Sequence, residues 1–295
     1  MSVKRLLLLP HIKVHNANAL SSPFTIGFPA MTAWLGAAHA LQRKLNNDGF
    51  TDLVFNSTAV ISHKANLQTH KGRGDYVHSI IGTANPLDKD GSRSAFIEEA
   101  RCHLEVSLVI EFDGITKEDE ETCLKRVNHH LNFSMKLAGG DILQFNKPTI
   151  TRVDDDEEEQ VKAFSRKLMP GFALVQRDEL MKEAMCEKNM DAMDALLDFL
   201  VIHNSSEMNE NEVLWTSKKR SSGWLVPIAI GFQGISVLGN AKNQRDEKTP
   251  HRFAESVVTL GEFIMPYKID SLDEILWHYH FDSENSLYLC KQNNL

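Results

Sequence analysis

The side chains best suited to binding a ligand lie in a polar segment that precedes the first predicted helix. This segment carries four short polar residues: Asn16, Asn18, Ser21 and Ser22. A helix N-terminus presents unpaired backbone N–H groups and a partial positive charge, which together favour phosphate. Asparagine donates and accepts hydrogen bonds, so it can also read the edge of a base. The segment therefore predicts a phosphate- or RNA-binding corner, and the alternative is a set of helix caps and turn residues.

Two other stretches combine basic residues with turn formers. Lys71 and Arg73 alternate with glycines that allow close approach of the backbone to an anion, although no Gly-Lys-Ser/Thr motif of a nucleotide-binding loop follows. Residues 216–252 hold seven Lys or Arg against two acidic residues, a local charge of +5. The polar and basic residues near the end of this stretch are Asn243, Arg245, Lys248, Thr249, His251 and Arg252. Both stretches predict RNA contacts, and solvated surface loops are the alternative.

Histidines offer a catalytic alternative. His63, His70 and His78 lie near basic residues and could supply the acid and base of a metal-free RNA cleavage. No nucleophile, base and orienting group stand at a spacing typical of an enzyme, so we expect a protein without catalytic residues. A metal site could use the C-terminal residues His278, His280 and Asp282. Positions at a helix end explain them better, and we expect neither a metal nor a cofactor.

Composition restricts the class of protein and its cellular location. The chain has 295 residues, 42% of them apolar, and a net charge of −8, which argues against a simple non-specific nucleic-acid binder. Six consecutive acidic residues at 154–159 contribute most of this charge, and an exposed, solvated loop is the expectation for them. The four cysteines are widely separated, as in reduced intracellular proteins. No apolar run approaches the roughly 20 residues of a membrane span, so we expect a cytoplasmic protein.

The N-terminal half alternates between strand and helix patterns. Apolar or β-branched runs predict strands at 3–9, 53–62, 102–112 and 141–151, and helical spacing predicts helices after Pro29 and at 117–137. This order predicts an α+β fold with a ferredoxin-like, RRM-type βαββαβ core. The polar segment 64–94 is too long for a plain connection and predicts an inserted hairpin, with a short helix closing it at 95–101. The third strand offers only Phe112 for stacking bases, so we expect binding groups in loops.

The C-terminal half shows weaker patterns. We predict helices at 161–168, 178–202, 251–265 and 271–279, a strand at 172–175, a polar loop at 204–212 and paired strands within 224–238. Ser271 and Glu274 have the spacing of a capping box. We therefore divide the chain into an RRM-like core at 1–152, with its insertion at about 64–94, and an α+β region at 153–295 packed on it.

Short motifs along nearly the whole chain carry a family resemblance. They are LLLLP at 6–10, NANALSSP at 16–23, GFP at 27–29, HAL at 39–41, HLEVSL at 103–108, MKLAGG at 135–140, LMPGFALV at 168–175, GWLVPI at 223–228, NQRDEKTPHRF at 243–253 and LGE at 260–262. In their order and spacing, the sequence resembles the second protein of the type I-F CRISPR (Csy) complex, a divergent member of the Cas-five family.

The resemblance implies a non-catalytic RNA-binding subunit. Such proteins cap the 5′ handle of the CRISPR RNA (crRNA), pair with the large subunit of the complex and abut its repeated backbone subunits; target DNA is expected near their thumb, the hairpin between the second and third strands. A separate endoribonuclease cuts the precursor in this system. Some relatives in the Cas-five family do cut RNA, so a metal-independent endoribonuclease remains the alternative, and a purely protein-bridging subunit is a third hypothesis.

The residue roles follow from combining the resemblance with the polar clusters. Asn16, Asn18, Ser21 and Ser22 would grip the handle. Asn243, Arg245 and Arg252 would hold RNA in the basic stretch, and Lys71 with Arg73 would lie on the thumb near the guide. No membrane contact is expected.

Overall fold

The structure is a computed structural model that describes residues 3–81, 87, 89–92, 99–209, 212–242, 244, 246 and 248–293. In its first part, strands alternate with two helices, α1 (Met31–Asn47) and α2 (Glu120–Phe133). The strands here are β1 (Val3–Asn18), β2 (Leu20–Ser22), β3 (Thr25–Ile26), β4 (Val54–Leu67), β5 (Thr69–His70), β6 (Ser79–Ile80), β7 (Arg101–Asp113), β8 (Lys136–Leu137), β9 (Gly140–Gln144) and β10 (Thr149–Asp154).

The remainder of the chain adds three helices, α3 (Glu158–Lys167), α4 (Asp178–Lys188) and α5 (Ala192–Leu200). Its strands are β11 (Phe172–Gln176), β12 (His203–Asn209), β13 (Glu212–Lys218), β14 (Leu225–Gly234), β15 (Ala254–Ile264), β16 (Trp277–Asp282) and β17 (Leu287–Gln292). Two short 3-10 helices, Pro266–Lys268 and Leu272–Glu274, lie between β15 and β16. The prediction of a mixed α+β protein is confirmed.

One antiparallel sheet connects both halves. In the described residues its strands run in the order β11-β15-β14-β17-β16-β4-β7-β1-β9-β8, with β10 also paired to β1. β4 is the junction, because it pairs with β7 on one side and with β16 and β11 on the other. The sheet therefore extends across residue 152, and the division into two regions stays a prediction.

Helices cover both faces of the β1–β4–β7 part of the sheet. On one face, Leu7, Leu9 and Ile110 pack under Trp34 and Val127 of α1 and α2. On the other face, the apolar side chains Leu6, Leu8, Ala59, Ile61 and Val109 pack under α3 and the 3-10 helices. A third cluster lies between β15 and the helices α4 and α5. Burial on both faces explains the long apolar runs of β1 and β7.

Several boundaries in the N-terminal half differ from the predictions. β4 continues to Leu67, five residues beyond its predicted end, and α2 ends at Phe133, so that residues 136–137 of the predicted helix form β8. β1 continues to Asn18 through two register shifts, so much of the predicted opening loop is strand. The predicted fourth strand is two strands, β9 and β10, that pair with different parts of β1. Residues 95–98 of the predicted short helix lie outside the described residues, and β7 already begins at Arg101.

Five predictions in the C-terminal half are wrong. The helix at 251–265 is strand β15, because its β-branched run at Val257, Val258 and Thr259 lies between two other strands of the sheet. The helix at 271–279 is one 3-10 turn followed by β16, although its capping box of Ser271 and Glu274 is present.

The other three corrections concern α4, the hairpin after α5 and β14. The helix at 178–202 is interrupted at Asn189, which has a φ of 49°. The loop at 204–212 is instead a hairpin of β12 and β13. The paired strands expected within 224–238 are one strand, β14, that pairs with β15 and β17.

The first residues of the acidic run are tied into the fold, since Asp154 is the last residue of β10 and pairs with Val3 of β1. Asp155 accepts hydrogen bonds from the Ser271 hydroxyl at 2.7 Å and from the Leu272 N–H at 2.8 Å. Glu158 and Glu159 begin α3, where negative charge favours the helix dipole. The expected solvated loop is therefore correct only in part. In the described part of the chain, no helix has the length and apolarity that crossing a membrane requires.

Candidate nucleic-acid interface

A cleft of about 530 Å³ opens beside the N-terminal half of α1. Its floor is a series of small residues along the helix: Ala30, Ala33, Gly36, Ala37 and Ala40. Asn18 and Ser21 lie on one wall, Lys136 and Gly139 on another, and Phe232 of β14 closes it. Among the described residues that line the cleft, none is acidic, although the protein carries a net charge of −8.

Three of the four polar residues predicted to bind RNA form hydrogen bonds within the segment between β1 and α1. The Asn18 carboxamide donates to the Leu20 carbonyl and accepts from the Leu20 N–H, both at 3.1 Å. The Ser21 hydroxyl contacts Thr25 Oγ1 at 2.9 Å, and Ser22 contacts the same oxygen at 2.6 Å. Ser22 is 5% exposed. Its hydroxyl therefore holds the β2–β3 turn, whereas Asn18 and Ser21 both hold the turn and line the cleft.

Asn16 lies at the last register shift of β1, with a φ of 60° that asparagine tolerates well. Its Oδ1 accepts a hydrogen bond from Gln68 at 3.0 Å, and its N–H donates to His103 Nδ1 at 3.2 Å. Gln68 is in turn bonded through its backbone to Arg101 and Ile81. Asn16 therefore connects the end of β1 to the base of the predicted thumb and does not line the cleft.

The N-terminus of α1 faces the cleft without a cap. Ala30 stands at the capping position, no side chain accepts from the first-turn N–H groups, and the first turn holds no acidic residue. These donors and the positive end of the helix dipole lie beside Thr32 and Ala33 in the cleft wall. Lys136 across the cleft is ion-paired with Asp141 at 2.7 Å, and this hydrogen bond lowers the pKa of Asp141.

The start of the predicted thumb is a short hairpin. β5 pairs with β6, and the Asp75 carboxylate accepts from the Gly72 N–H at 2.7 Å within the turn between them. Lys71 and Arg73 lie in this turn with exposed side chains. Residues 82–86, 88, 93 and 94 of the predicted thumb lie outside the described residues.

Of the basic cluster, Asn243 and Arg245 lie outside the described residues. Arg252 is exposed, and its side chain packs against Gly234. A Cβ added to Gly234 would lie only 2.4 Å from Arg252 Cδ. Gly234 follows Phe232 by two residues on β14, so both positions point to the same face of the strand. Arg252 therefore lies next to the end of the cleft that Phe232 closes.

The histidines of the catalytic alternative are not gathered into one site. His63 Nε2 contacts the Ser107 hydroxyl at 2.7 Å, and its Nδ1 contacts the Pro170 carbonyl at 2.5 Å. Burial lowers the pKa of His63. His70 and His78 lie on the β5–β6 hairpin, where His78 Nδ1 contacts Thr69 Oγ1 at 3.2 Å. Both ring nitrogens of His63 are thus used inside the fold.

The metal candidates occupy a strand instead of a helix end. His278, His280 and Asp282 alternate along β16, and Asp282 accepts from the backbone N–H groups of Glu284 and Asn285. Within the described residues, no group of three or more His, Cys, Asp or Glu side chains is arranged to hold a metal ion.

Sequence reasoning missed much of the cleft wall. Lys136 and Phe232 come from β8 and β14, which are remote from α1 in sequence. The small residues of α1 were a usable signal, because Ala33, Gly36, Ala37 and Ala40 recur at helical spacing beside the apolar stripe of Trp34, Leu41 and Leu45.

Comparison with known proteins places this architecture in a family. Residues 7–290 match the family described as CRISPR-associated protein (Cas_Csy2). The chain is also 33% identical to the CRISPR-associated protein Csy2 of Pseudomonas aeruginosa (strain UCBPP-PA14), over 96% of this chain and 94% of that protein. Because the match spans almost the whole chain, this protein belongs to the Csy2 family of CRISPR-associated proteins.

Proposed function

We propose that this chain is a non-catalytic RNA-binding subunit of a type I-F CRISPR complex. In this proposal it binds the 5′ handle of the crRNA and bridges the large subunit to the repeated backbone subunits. The cleft beside α1 is the seat of the handle, and the turn that carries Lys71 and Arg73 contacts the guide, near target DNA. Membership of the Csy2 family supports a place in such a complex.

One observation carries the RNA-binding part of the proposal. The uncapped N-terminus of a 17-residue helix opens into a cleft whose described lining residues include no acidic side chain, in a protein of net charge −8. Backbone N–H groups and Lys136 suit phosphates, and the Asn18 and Ser21 side chains border the same space. Small residues on the helix let a nucleotide chain approach the backbone closely. Arg252, beside Phe232, extends the positive surface, and Asn243 and Arg245 belong to the same proposed contact.

We further propose that β1, α1, β4, β7, α2 and the pair β9 and β10 form a ferredoxin-like, RRM-type unit. The side-by-side order β4-β7-β1-β9 and the packing of α1 and α2 against one face support this assignment. The opposite face is partly covered by α3, which supports a binding site at loops and helix ends. None of the four cysteines forms a disulfide, in keeping with a cytoplasmic location.

A charge placed in the cleft tests the proposal. Gly36 lies on the cleft floor, and a Cβ there would meet nothing closer than the Tyr279 hydroxyl at 4.0 Å. Gly36→Glu is therefore expected to fold and to place a carboxylate where phosphates would lie. Repulsion between this carboxylate and a phosphate in the cleft predicts about a tenfold loss of affinity for handle-bearing RNA. Fluorescence anisotropy at low salt measures the affinity.

Gly36→Gln is the matched control, because it fills the same volume without charge. We expect it to weaken binding less than Gly36→Glu, and the difference between the two to shrink as salt rises. The bound RNA should be recovered intact. Equal RNA affinity in the wild type and the Gly36→Glu variant would remove the cleft from the binding site.

A further inference from the structure

The sheet face opposite α1 changes from apolar to polar at one row of residues. Towards the start of β1, this face is apolar and covered by α3. At His11, Ser107 and His63 it becomes polar, and both β1 and β4 shift register there. Beyond that row the exposed or half-exposed side chains that β1, β7 and β4 place on this face are polar. We call the following five residues the histidine face: Lys13, His15, Lys64, Asn66 and His103.

The strand register defines the geometry of the histidine face. Lys13 and Lys64 each pair with Glu105 of the central strand β7, and Asn66 pairs with His103. His15 stacks on His103, with ring centroids 4.4 Å apart and planes inclined by 22°. These side chains line a cleft of about 380 Å³ together with Leu143 of β9.

The charges on the histidine face favour an anion. The only carboxylate lining its cleft, among the described residues, is Glu105, which contacts His11 Nδ1 at 2.8 Å. Lys64 and Lys13 flank Glu105, and Lys13 also donates to Gln144 at 3.2 Å. An imidazole is an aromatic platform on which an unpaired base can stack, so stacking does not depend on Phe112 of β7, which is buried.

The histidine face is continuous with the proposed handle site. Asn16 follows His15 and donates its N–H to the ring of His103, and Asn18, two residues further, lines the cleft beside α1. An RNA chain bound at the α1 cleft can therefore continue over the end of β1. Val14, Leu104 and Leu143 also line this cleft, but its two lysines and two histidines against one glutamate favour a polyanion over an apolar protein segment.

We propose that the histidine face binds an unpaired segment of RNA, with one base stacked on the exposed imidazole of His15 and the flanking phosphates near Lys13 and Lys64. His103 holds the His15 ring in position from beneath. The proposal rests on the RNA-binding function proposed above and adds a second contact surface to it.

Binding of fluorescein-labelled handle RNA to the full chain tests the stacking contact. Loss of one base–aromatic stack predicts about a tenfold weaker affinity for His15→Ala. His15→Phe keeps a ring and should restore most of the affinity, whereas a contact made through the imidazole nitrogens would not be restored. His129→Ala is the matched control, because His129 is exposed on α2. The Lys13→Gln and Lys64→Gln double variant should lower the salt slope of binding by about 1.4.

Nuclear magnetic resonance supplies a readout on the unmodified protein. The ring protons of His15, assigned by their absence in His15→Phe, should shift on addition of RNA because a stacked base adds a ring current. Unchanged His15 resonances at saturating RNA, or wild-type affinity in His15→Ala, would overturn the proposal for the histidine face alone. If the wild-type chain binds no RNA, the proposed function fails as well.

Discussion

At the scale of single residues, Asp48 connects the two helices that cover one face of the sheet. It follows α1 directly, and its carboxylate receives two hydrogen bonds from Arg126 of α2, at 2.9 and 2.6 Å. His130 Nε2 contacts the same carboxylate at 2.6 Å. The Arg126 guanidinium, followed by His130, lowers the pKa of Asp48 to about 2. Asp48 thereby ties α2 to the C-terminal end of α1, the helix that forms the floor of the cleft.

Replacing Asp48 by asparagine should destabilise the protein by about 1 kcal/mol at pH 7, after allowance for solvent around the partly exposed Arg126. The folded-state pKa lies below the unfolded value, so this stabilisation is complete above about pH 4 and is lost as the pH falls towards about 2. Urea unfolding of both proteins between pH 7 and pH 2 measures the difference. A difference that stays constant over this range would contradict the role of the ionised carboxylate.

At the scale of elements, the β12–β13 hairpin is a two-stranded sheet that does not pair with the main sheet in the described residues. Its two strands pair with each other, and the described side chains are exposed along their length. Exposed apolar residues include Met208 and Trp215, at 81% and 73%. Its side-chain hydrogen bonds, such as Ser205 to Thr216, stay within the hairpin. The hairpin therefore contributes little to the packed core.

Shortening this hairpin should leave the body of the protein intact. His203 and Lys218 face each other in the ladder, so an Asn-Gly turn can join them in place of residues 204–217. We expect the free energy of unfolding to change by less than about 0.5 kcal/mol, because surface segments without buried contacts behave in this way. Urea unfolding measures it, and a loss of several times that size would show that the hairpin packs on the body.

At the scale of the whole molecule, one sheet joins regions that the sequence patterns separate. β4 pairs with β7, β16 and β11, and Trp277 of β16 donates its indole N–H to the Leu174 carbonyl of β11 at 3.0 Å. Phe232 reaches the α1 cleft from β14, which belongs to the same sheet. The proposed RNA seat is therefore built by both halves of the chain.

The local sequence pattern was sufficient to predict a helix or strand where apolar residues recur at the spacing of that element. The apolar stripe of α1 and the apolar run of β7 predicted both elements to within about a residue or two at most ends. The wrong prediction at β15 has a physical cause. Helical spacing and Pro250 favoured a helix, whereas Val257 and Val258 favour a strand. Pairing with β11 and β14 makes this segment a strand.

The site was predictable only in part for a related reason. The polar segment before α1 was found from composition, but Ser22 is buried and Asn16 points to the thumb instead of the cleft. Lys136 and Phe232 reach the cleft through tertiary packing, which no local pattern encodes. His15 of β1 and His103 of β7 are 88 residues apart in sequence. Their stacking depends on the register of the two strands, which the sequence pattern does not reveal.

Cross-linking of the full chain to handle-bearing RNA with 4-thiouridine at successive positions, followed by mapping of the attached peptides, would show whether the handle lies in the α1 cleft. We expect handle nucleotides to attach to peptides that line this cleft, around residues 18–40 and 136–139. Attachment only to surfaces remote from this cleft, such as α4 or the β12–β13 hairpin, would contradict this expectation.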